Sequence, residues 1–413
     1  MIRMILATGL QIFVIVFARS VSDSLVNDFH LYFIYIRSPM RILLLIKRFN
    51  FGGSENHVRE LANSLTANGH QVWICSRRGR QTERLDPQIH FHSFHLNDFK
   101  LPWQIFQLMA FMRQHNIELI HAHQRLAIKF GALLSMLLGI PVVATVHGKT
   151  RHDLGGWLLR KNLTRVIFVS CCILHRAARF KELRSKSVFI PNSIIPAPMT
   201  RNVYSDNLFY IARMDKHHSA LLLMLIRQVI PELLCHVPNL TFTIIGDGRK
   251  SDIVRKACQA INQTAGRNII RCLGFQPDPA QHFANASLLM GVGRSALLAL
   301  AHGVPVLSLN DHHLGALITS ANARQFMNNN FVQVSGLPPT PQRVKAELWP
   351  FWEDRGRWAV ESQLVREMVH QQLMVENITH QIEHLYQTAM FEKAVAKKKV
   401  TIADSAPALT AIE

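Results

Sequence analysis

Apolar residues recur along this chain in two alternating patterns. "RILLLIK" (Arg41–Lys47) is an unbroken apolar run, the kind buried on both faces of a parallel sheet. The segment after it is different. Val58, Leu61, Ala62 and Leu65 share one helical face, behind a glycine loop in which Ser54 is placed to cap the helix. "QVWICS" then returns to the strand pattern, which completes a strand, loop, helix and strand unit. "IELIHAH", a helix over "QRLAIKFGALLSMLLG", "IPVVATVHG", "RVIFVS" and "SVFIPNS" continue it.

A second series opens at "NLFYIAR". The helix "SALLLMLIRQVIPELLCHV", strand "LTFTIIGDG", helix "KSDIVRKACQAINQTAG", strand "NIIRCLGF", helix "DPAQHFANA", strand "SLLMGVG", a further helix and "VPVLSLN" follow. Alternation of this kind predicts an α/β protein with doubly wound parallel sheets. Two series joined by the proline-containing "PNSIIPAPMTRNVYSDN" predict two Rossmann-like domains, 40–200 and 201–350, with a cleft between them. Helical patterning over 351–392 predicts helices that close the fold, and the lysine-rich tail 393–413 is expected to be disordered.

The amino terminus stands apart. Met4–Ala18 is mostly apolar but shorter than the roughly 20 residues of a membrane span. Residues 1–39 are expected to be an extension outside the fold, read as an upstream start ahead of a membrane anchor or a cleaved signal.

Charge narrows the partners. The formal net charge is +19, and 22 Lys/Arg against eight Asp/Glu between Met40 and Thr200 put most of it on the first half. Such a field favours phosphates, an anionic membrane or nucleic acid. Nucleic acid is set aside, because no Arg/Lys–aromatic interleaving, finger or RNP-type run occurs. The six cysteines show neither C-x-x-C nor metal spacing, and a reduced compartment is the simpler reading. A dinucleotide fingerprint fails at "FGGSEN", the second strand ends in "RRGR" rather than an acid, and no P-loop occurs.

Cleft-lining candidates follow from position. Gly52 and Gly53 allow close backbone approach, or merely a tight turn. Gly293, Arg294 and Ser295 open a helix and offer an anion seat. Arg213 stands at the end of a strand, where a guanidinium can grip phosphate oxygens. Gly246 and Gly274 are expected to shape the pocket wall. His121 and His123 alternate on one side of a strand, so either is the inward one, and His147 is a further cleft candidate.

The series "GGSE", "IELIHAH", "GIPVVATVHG", "FIPNS", "ARMDK", "IIGDG", "CLGF" and "GVGRSALLALAHGVPV" resembles the retaining glycosyltransferases of family 4, with the GT-B fold, from about Met40 to Tyr386. The resemblance implies transfer of a sugar from a nucleoside-diphosphate sugar to an acceptor, without a metal or other cofactor. It implies a donor held on the second domain and an acceptor on the first, with Glu55 and His147 on the acceptor side. His123 would lie beside the sugar, and Arg213 would balance the leaving diphosphate. The family-level acceptor is an envelope polysaccharide or lipid-linked saccharide, which implies a cytoplasmic protein at the inner face of the membrane.

Departures from the family bear on activity. A lysine is usual where His218 stands, with glycine rather than Ser219 after it. A glutamate that grips ribose is usual where Leu298 stands, and an earlier glutamate is common at Met290. Loss of one charged hydrogen bond costs on the order of 1.5–3 kcal/mol. Two readings therefore stay open: an active transferase with altered donor binding, and a degenerate, non-catalytic relative.

Overall fold

The computed structural model describes residues 39–148, 154–333 and 335–405. The extension expected over 1–39 lies almost wholly outside the described residues. In the first half, β1 (Arg41–Arg48), α1 (Gly53–Ala67), β2 (Gln71–Arg77), β3 (His90–Ser93), α2 (Leu101–Gln114), β4 (Leu119–His123), α3 (Arg125–Leu138), β5 (Val142–Val146), α4 (Trp157–Asn162), β6 (Arg165–Phe168), α5 (Cys171–Ala177) and β7 (Ser187–Phe189) alternate. The strands form a seven-stranded parallel sheet in the order β3-β2-β1-β4-β5-β6-β7. All five residues of β4 and of β5 are buried, which is why these strands read as unbroken apolar runs interrupted only by His121, His123 and Thr145.

In the second half, β8 (Asn207–Ile211), α6 (Lys216–Met224), α7 (Ile230–Leu234), β9 (Thr241–Ile245), α8 (Ser251–Ala265), β10 (Ile270–Cys272), β11 (Leu288–Gly291), α9 (Gly293–Ala301), β12 (Val306–Leu309) and β13 (Leu314–Leu317) form the second unit. Its six strands run in the order β10-β9-β8-β11-β12-β13, all parallel except the edge strand β13. The turn from β12 is too short for a crossover. Asn310 Oδ1 accepts the His312 and His313 N–H groups at 2.8 and 2.9 Å and sends the chain straight back. "DPAQHFANA", expected as a helix, is a 3₁₀ segment over Pro279–Asn285.

Helices α10 (Ala323–Asn328), α11 (Pro341–Glu353), α12 (Arg355–Leu373) and α13 (Val375–Ser405) complete the described chain. The expected boundary at 350 falls inside α11. Helix α13 crosses back to the first sheet, where Ile378, Ile382, Leu385, Tyr386 and Ala389 pack with Ile42, Leu44, Val58 and Leu61. Full burial of one such aliphatic chain stabilises by about 1.5–3 kcal/mol. The tail expected to be disordered from Lys393 instead continues α13 to Ser405, because it carries no Gly or Pro there and is rich in Ala and Lys.

Candidate active site

Strand order reverses once in each sheet, between β1 and β4 and between β8 and β11. Ligands of such sheets bind beyond the carboxyl ends of the strands at this switch. The loop after β1 carries Gly52, Gly53 and Glu55, and β4 ends in His123. On the second sheet, Arg213 follows β8 and Gly293 follows β11. The two switch points therefore carry most of the candidate residues.

On the first side, period two in β4 puts His121 and His123 on one face, with ring centroids 4.1 Å apart and both rings buried. Their bonding separates them. His121 Nδ1 meets Tyr386 Oη at 2.5 Å and its Nε2 meets Thr145 Oγ1 at 2.7 Å, so it ties α13 and β5 to β4. His123 Nδ1 lies 3.4 Å from His147 Nε2, and its own Nε2 is buried without a partner. His57 of α1 joins them, with ring centroids 5.6 Å from His123 and 5.2 Å from His147, and both its nitrogens are unpartnered. Burial pushes the His57 and His123 imidazoles well below their usual range, aided by neighbouring imidazoles and, for His57, the Arg294 guanidinium. Burial lowers His121 to about 3, helped by His147; burial and Arg294 lower His147 to about 4. At neutral pH all four rings are neutral.

The glycine loop is held against β4. Gln124 Nε2 donates to Ser54 Oγ at 3.0 Å and to Glu55 Oε1 at 3.2 Å, and Ser54 Oγ donates to Glu55 Oε2 at 2.8 Å. Ser54 thus lies inside α1 and does not cap it. Gln124 pays for this position with φ 70° and ψ 152°, a conformation that costs on the order of 1–3 kcal/mol outside glycine. A Cβ on Gly52 would stand 2.4 Å from Glu55 Oε2, and one on Gly53 would stand 3.3 Å from Arg294 Cγ. The space beside these glycines is filled by the protein's own carboxylate and by an arginine from the other domain.

That arginine spans the cleft. Arg294 Nη2 donates to the buried Glu60 Oε1 at 2.5 Å, and its Nη1 donates to Ser193 O at 2.8 Å. Gly293 N–H is taken by Asn330 O at 2.9 Å, and Ser295 Oγ donates to Val292 O at 2.9 Å. The expected anion seat at this helix start therefore has its arginine, its serine hydroxyl and its first N–H engaged inside the protein, because α9 begins at the interdomain face. Leu298, half-buried on the same helix, packs against the apolar cluster of Phe209, Phe283 and Leu297.

Arg213 and His218 stand apart from this group. Arg213 is exposed beyond β8, with no ion pair among the described residues. His218, in the first turn of α6, gives its backbone N–H to Asp215 Oδ1 at 3.1 Å. Gly246 donates its N–H to Gly274 O at 2.8 Å, and a Cβ on it would fall 1.9 Å from Ala212 O, so the loop after β9 can lie against the one after β8 only as glycine. Phe275, next to Gly274, meets Phe51 of the first domain with ring centroids 4.6 Å apart.

A cavity of about 860 Å³ opens beside the histidines, walled by Lys47, Gln124, Arg125, Lys129 and His147. Three cations on its wall face one carboxylate, Asp98, which is paired with Lys129 at 2.7 Å. Nitrogens of His57, His123 and His147 come within 4.8 Å of one another, the donor set of a zinc-type site. The Arg294 guanidinium lowers the proton affinity of two of these rings, and the same field opposes a cation there.

Reading the sequence missed His57, Glu60 and Gln124. Two of them had a signal: His57 and Glu60 are polar residues on or beside the apolar face of α1. Gln124 had none, because its strain and its bonds to Ser54 and Glu55 exist only once β4 and the glycine loop meet.

Two family models match in tandem: Glycosyltransferase Family 4 over residues 51–197 and Glycosyl transferases group 1 over residues 205–329. A phosphatidylinositol N-acetylglucosaminyltransferase component from Arabidopsis thaliana is 26% identical over 244 residues, which cover 51% of this chain and 53% of that protein. This chain thus spans about half the length of that relative. The crystal structure of Anabaena HepE in complex with UDP superposes with a TM-score of 0.66 at 17% identity, covering 84% of this chain and all of that one. Sucrose-phosphate synthase from Thermosynechococcus elongatus gives 0.63 at 16% identity, covering 85% of this chain and 99% of its own. These likenesses establish the GT-B fold. Among the described residues no helix is long and apolar enough to cross a membrane.

Proposed function

Because this chain belongs to the family 4 glycosyltransferases, we propose that it moves a sugar from a nucleoside diphosphate to an envelope or lipid-linked saccharide, with retention, at the inner face of the cytoplasmic membrane. The observation that carries this reading is the unpartnered, buried Nε2 of His123 beside His57, at the switch point that faces the second domain. A buried polar nitrogen without a partner costs about 1–3 kcal/mol, and sugar hydroxyls supply the missing bonds. Neutral imidazoles suit that role, since they both donate and accept.

In the proposed reaction the bond from the anomeric carbon to the phosphate oxygen breaks, and a bond from the same carbon to an acceptor hydroxyl forms on the same face. The acceptor proton passes to the departing phosphate. Arg213, an exposed cation just after β8, balances the diphosphate in this reading, with His218 as its neighbour on the next helix. The cationic cavity by Lys47, Arg125 and Lys129 takes the acceptor, with His147 and Glu55 on its inner side. No metal takes part in this reading; Arg294 supplies the fixed positive charge near the histidines. UDP is the first nucleotide to test, because the HepE structure holds it.

Leu298 favours a second reading. A leucine packed on the apolar cluster offers nothing to a ribose, which fits a degenerate relative that binds nucleotide sugars weakly or serves as an interaction partner. A thermal-shift screen with UDP-, GDP- and CMP-sugars, followed by calorimetry on Arg213→Ala, separates the two. The active reading expects a shift with one donor and about a tenfold or greater loss of affinity in the variant. No shift with any donor leaves the degenerate reading standing.

A further inference from the structure

Helix α2 buries Gln104, Ile105, Leu108 and Met112 and turns a second apolar stripe outward. Phe99 just before it, and Trp103 and Phe106 on it, follow at spacings of four and three, and they are 97%, 67% and 69% exposed. A solvated helix face carries polar residues at these places, and a cluster of exposed aromatics marks a contact surface. Two packed neighbours extend it. Helix α2 lies against α3, and α3 against α4, whose first residue, Trp157, is 62% exposed with Leu158 beside it at 47%.

These aromatics stand at one edge of the first sheet. Helices α2, α3 and α4 all start from the carboxyl ends of parallel strands, so Phe99, Trp103 and Trp157 lie on the edge where the 860 Å³ cavity opens. The cavity wall includes Asp98 and Gly156, the sequence neighbours of Phe99 and Trp157. Cations surround the same edge: Lys100 beside Phe99, Arg125 and Lys129 at the start of α3, and Lys161, whose Nζ lies 5.8 Å from the Trp157 ring centroid. Exposed Trp and Phe among Lys and Arg are the composition of a surface that seats in the headgroup layer of an anionic bilayer.

We propose that Phe99, Trp103, Phe106 and Trp157, with the cations around them, form the face by which this protein docks on anionic phospholipid, with its acceptor cavity opening onto the membrane. The surface itself is argued from exposure and charge. Only the claim that the cavity receives a lipid-linked acceptor rests on the transferase reading above. The chain's aromatic and basic residues are not interleaved in sequence; three helices bring them together.

The test uses the full chain with vesicles of phosphatidylcholine alone, and of phosphatidylcholine and phosphatidylglycerol in equal parts, at low salt. The wild type is expected to sediment with the anionic vesicles only. The combined variant Phe99→Ser, Trp103→Ser, Phe106→Ser is expected to lose about tenfold or more of that binding. Val360→Ser, an apolar site on α12 that is 60% exposed, is expected to lose none. Lys100→Glu with Lys161→Glu gives an independent arm with the same expected loss. Nucleotide affinity, measured on every sample, reports folding and the donor site. Wild-type protein that binds nucleotide but not anionic vesicles overturns the docking face and leaves the transferase reading intact. An aromatic variant that binds vesicles like the wild type overturns it too. If sedimentation velocity shows a dimer that only the aromatic variant dissolves, without vesicle binding, the face is a contact between copies and the proposal fails. Vesicle binding lost as expected, in a protein that binds no nucleotide, supports the docking face and sinks the transferase reading alone.

Discussion

Arg294 of the second domain reaches across the cleft to Glu60 of the first, with 2.5 Å between Nη2 and Oε1 and the Glu60 side chain almost fully buried. The pair stands beside the histidine cluster and under the glycine loop, so it couples closure of the cleft to the shape of the site. Arg294 also holds Ser193 O, in the segment that joins the two domains.

Removal of one partner from a buried ion pair strands the other charge, and costs about 3–5 kcal/mol. Glu60→Ala is therefore expected to destabilise by that order and to open the cleft, while Glu60→Gln, which keeps an acceptor, loses less. Urea denaturation gives the first quantity and the radius of gyration from solution scattering gives the second. Equal stability of Glu60→Ala and wild type would show that the pair holds nothing together.

The clustered histidines set an acid limit. His147 and His121 titrate near 4 and 3 when folded, against 6.5 for a free imidazole. Between these values the unfolded chain binds protons that the folded chain does not. Stability is therefore complete above pH 6.5 and falls as pH drops toward 4 and 3, by about 1.4 kcal/mol per pH unit for each such ring. Urea midpoints from pH 7 to pH 4 are expected to fall steeply, and His147→Gln is expected to flatten the slope by about one ring's share. A slope unchanged in that variant means His147 does not contribute.

Leu298→Glu introduces the carboxylate that the family resemblance implies at this position. The side chain is half-buried against Phe283 and its neighbours, so the variant is expected to lose about 1–2 kcal/mol of stability. In return it should bind the nucleotide sugar about tenfold tighter or more, since one charged hydrogen bond is on the order of 1.5–3 kcal/mol. Calorimetry on the folded variant decides it: normal folding with unchanged affinity refutes the ribose role assigned to this position.

Chelation tests the histidine triad. With Arg294 beside three neutral rings, treatment with EDTA is expected to leave nucleotide binding and transfer unchanged, and added zinc is expected not to raise the melting temperature. His57→Ala is nonetheless expected to weaken sugar turnover about tenfold or more through lost hydrogen bonds. A zinc-dependent rise in melting temperature that His57→Ala abolishes would make the triad a metal site.

Much of this molecule was legible from its residues. Unbroken apolar runs alternating with helical stripes determined two largely parallel sheets, because a strand buried on both faces leaves little room for polar positions. The glycines at 246 and 274 marked loops at the carboxyl ends of strands, where the fold's ligands sit. His123 and His147 were readable as strand-end residues.

Only the tertiary structure decided what the side chains do. Period two put His121 and His123 on the same side of β4, and only the resemblance to the family, not the pattern of residues, singled out His123. Tyr386, 265 residues away, bonds His121 and leaves His123 the free nitrogen. Arg294 carried every mark of an anion ligand at a helix start, yet folding places a buried carboxylate within its reach. Charge and hydrophobicity are properties of each residue, and they settle burial and element type locally. Pairing depends on which residues long-range packing brings within about 3 Å, and that is decided by the whole chain.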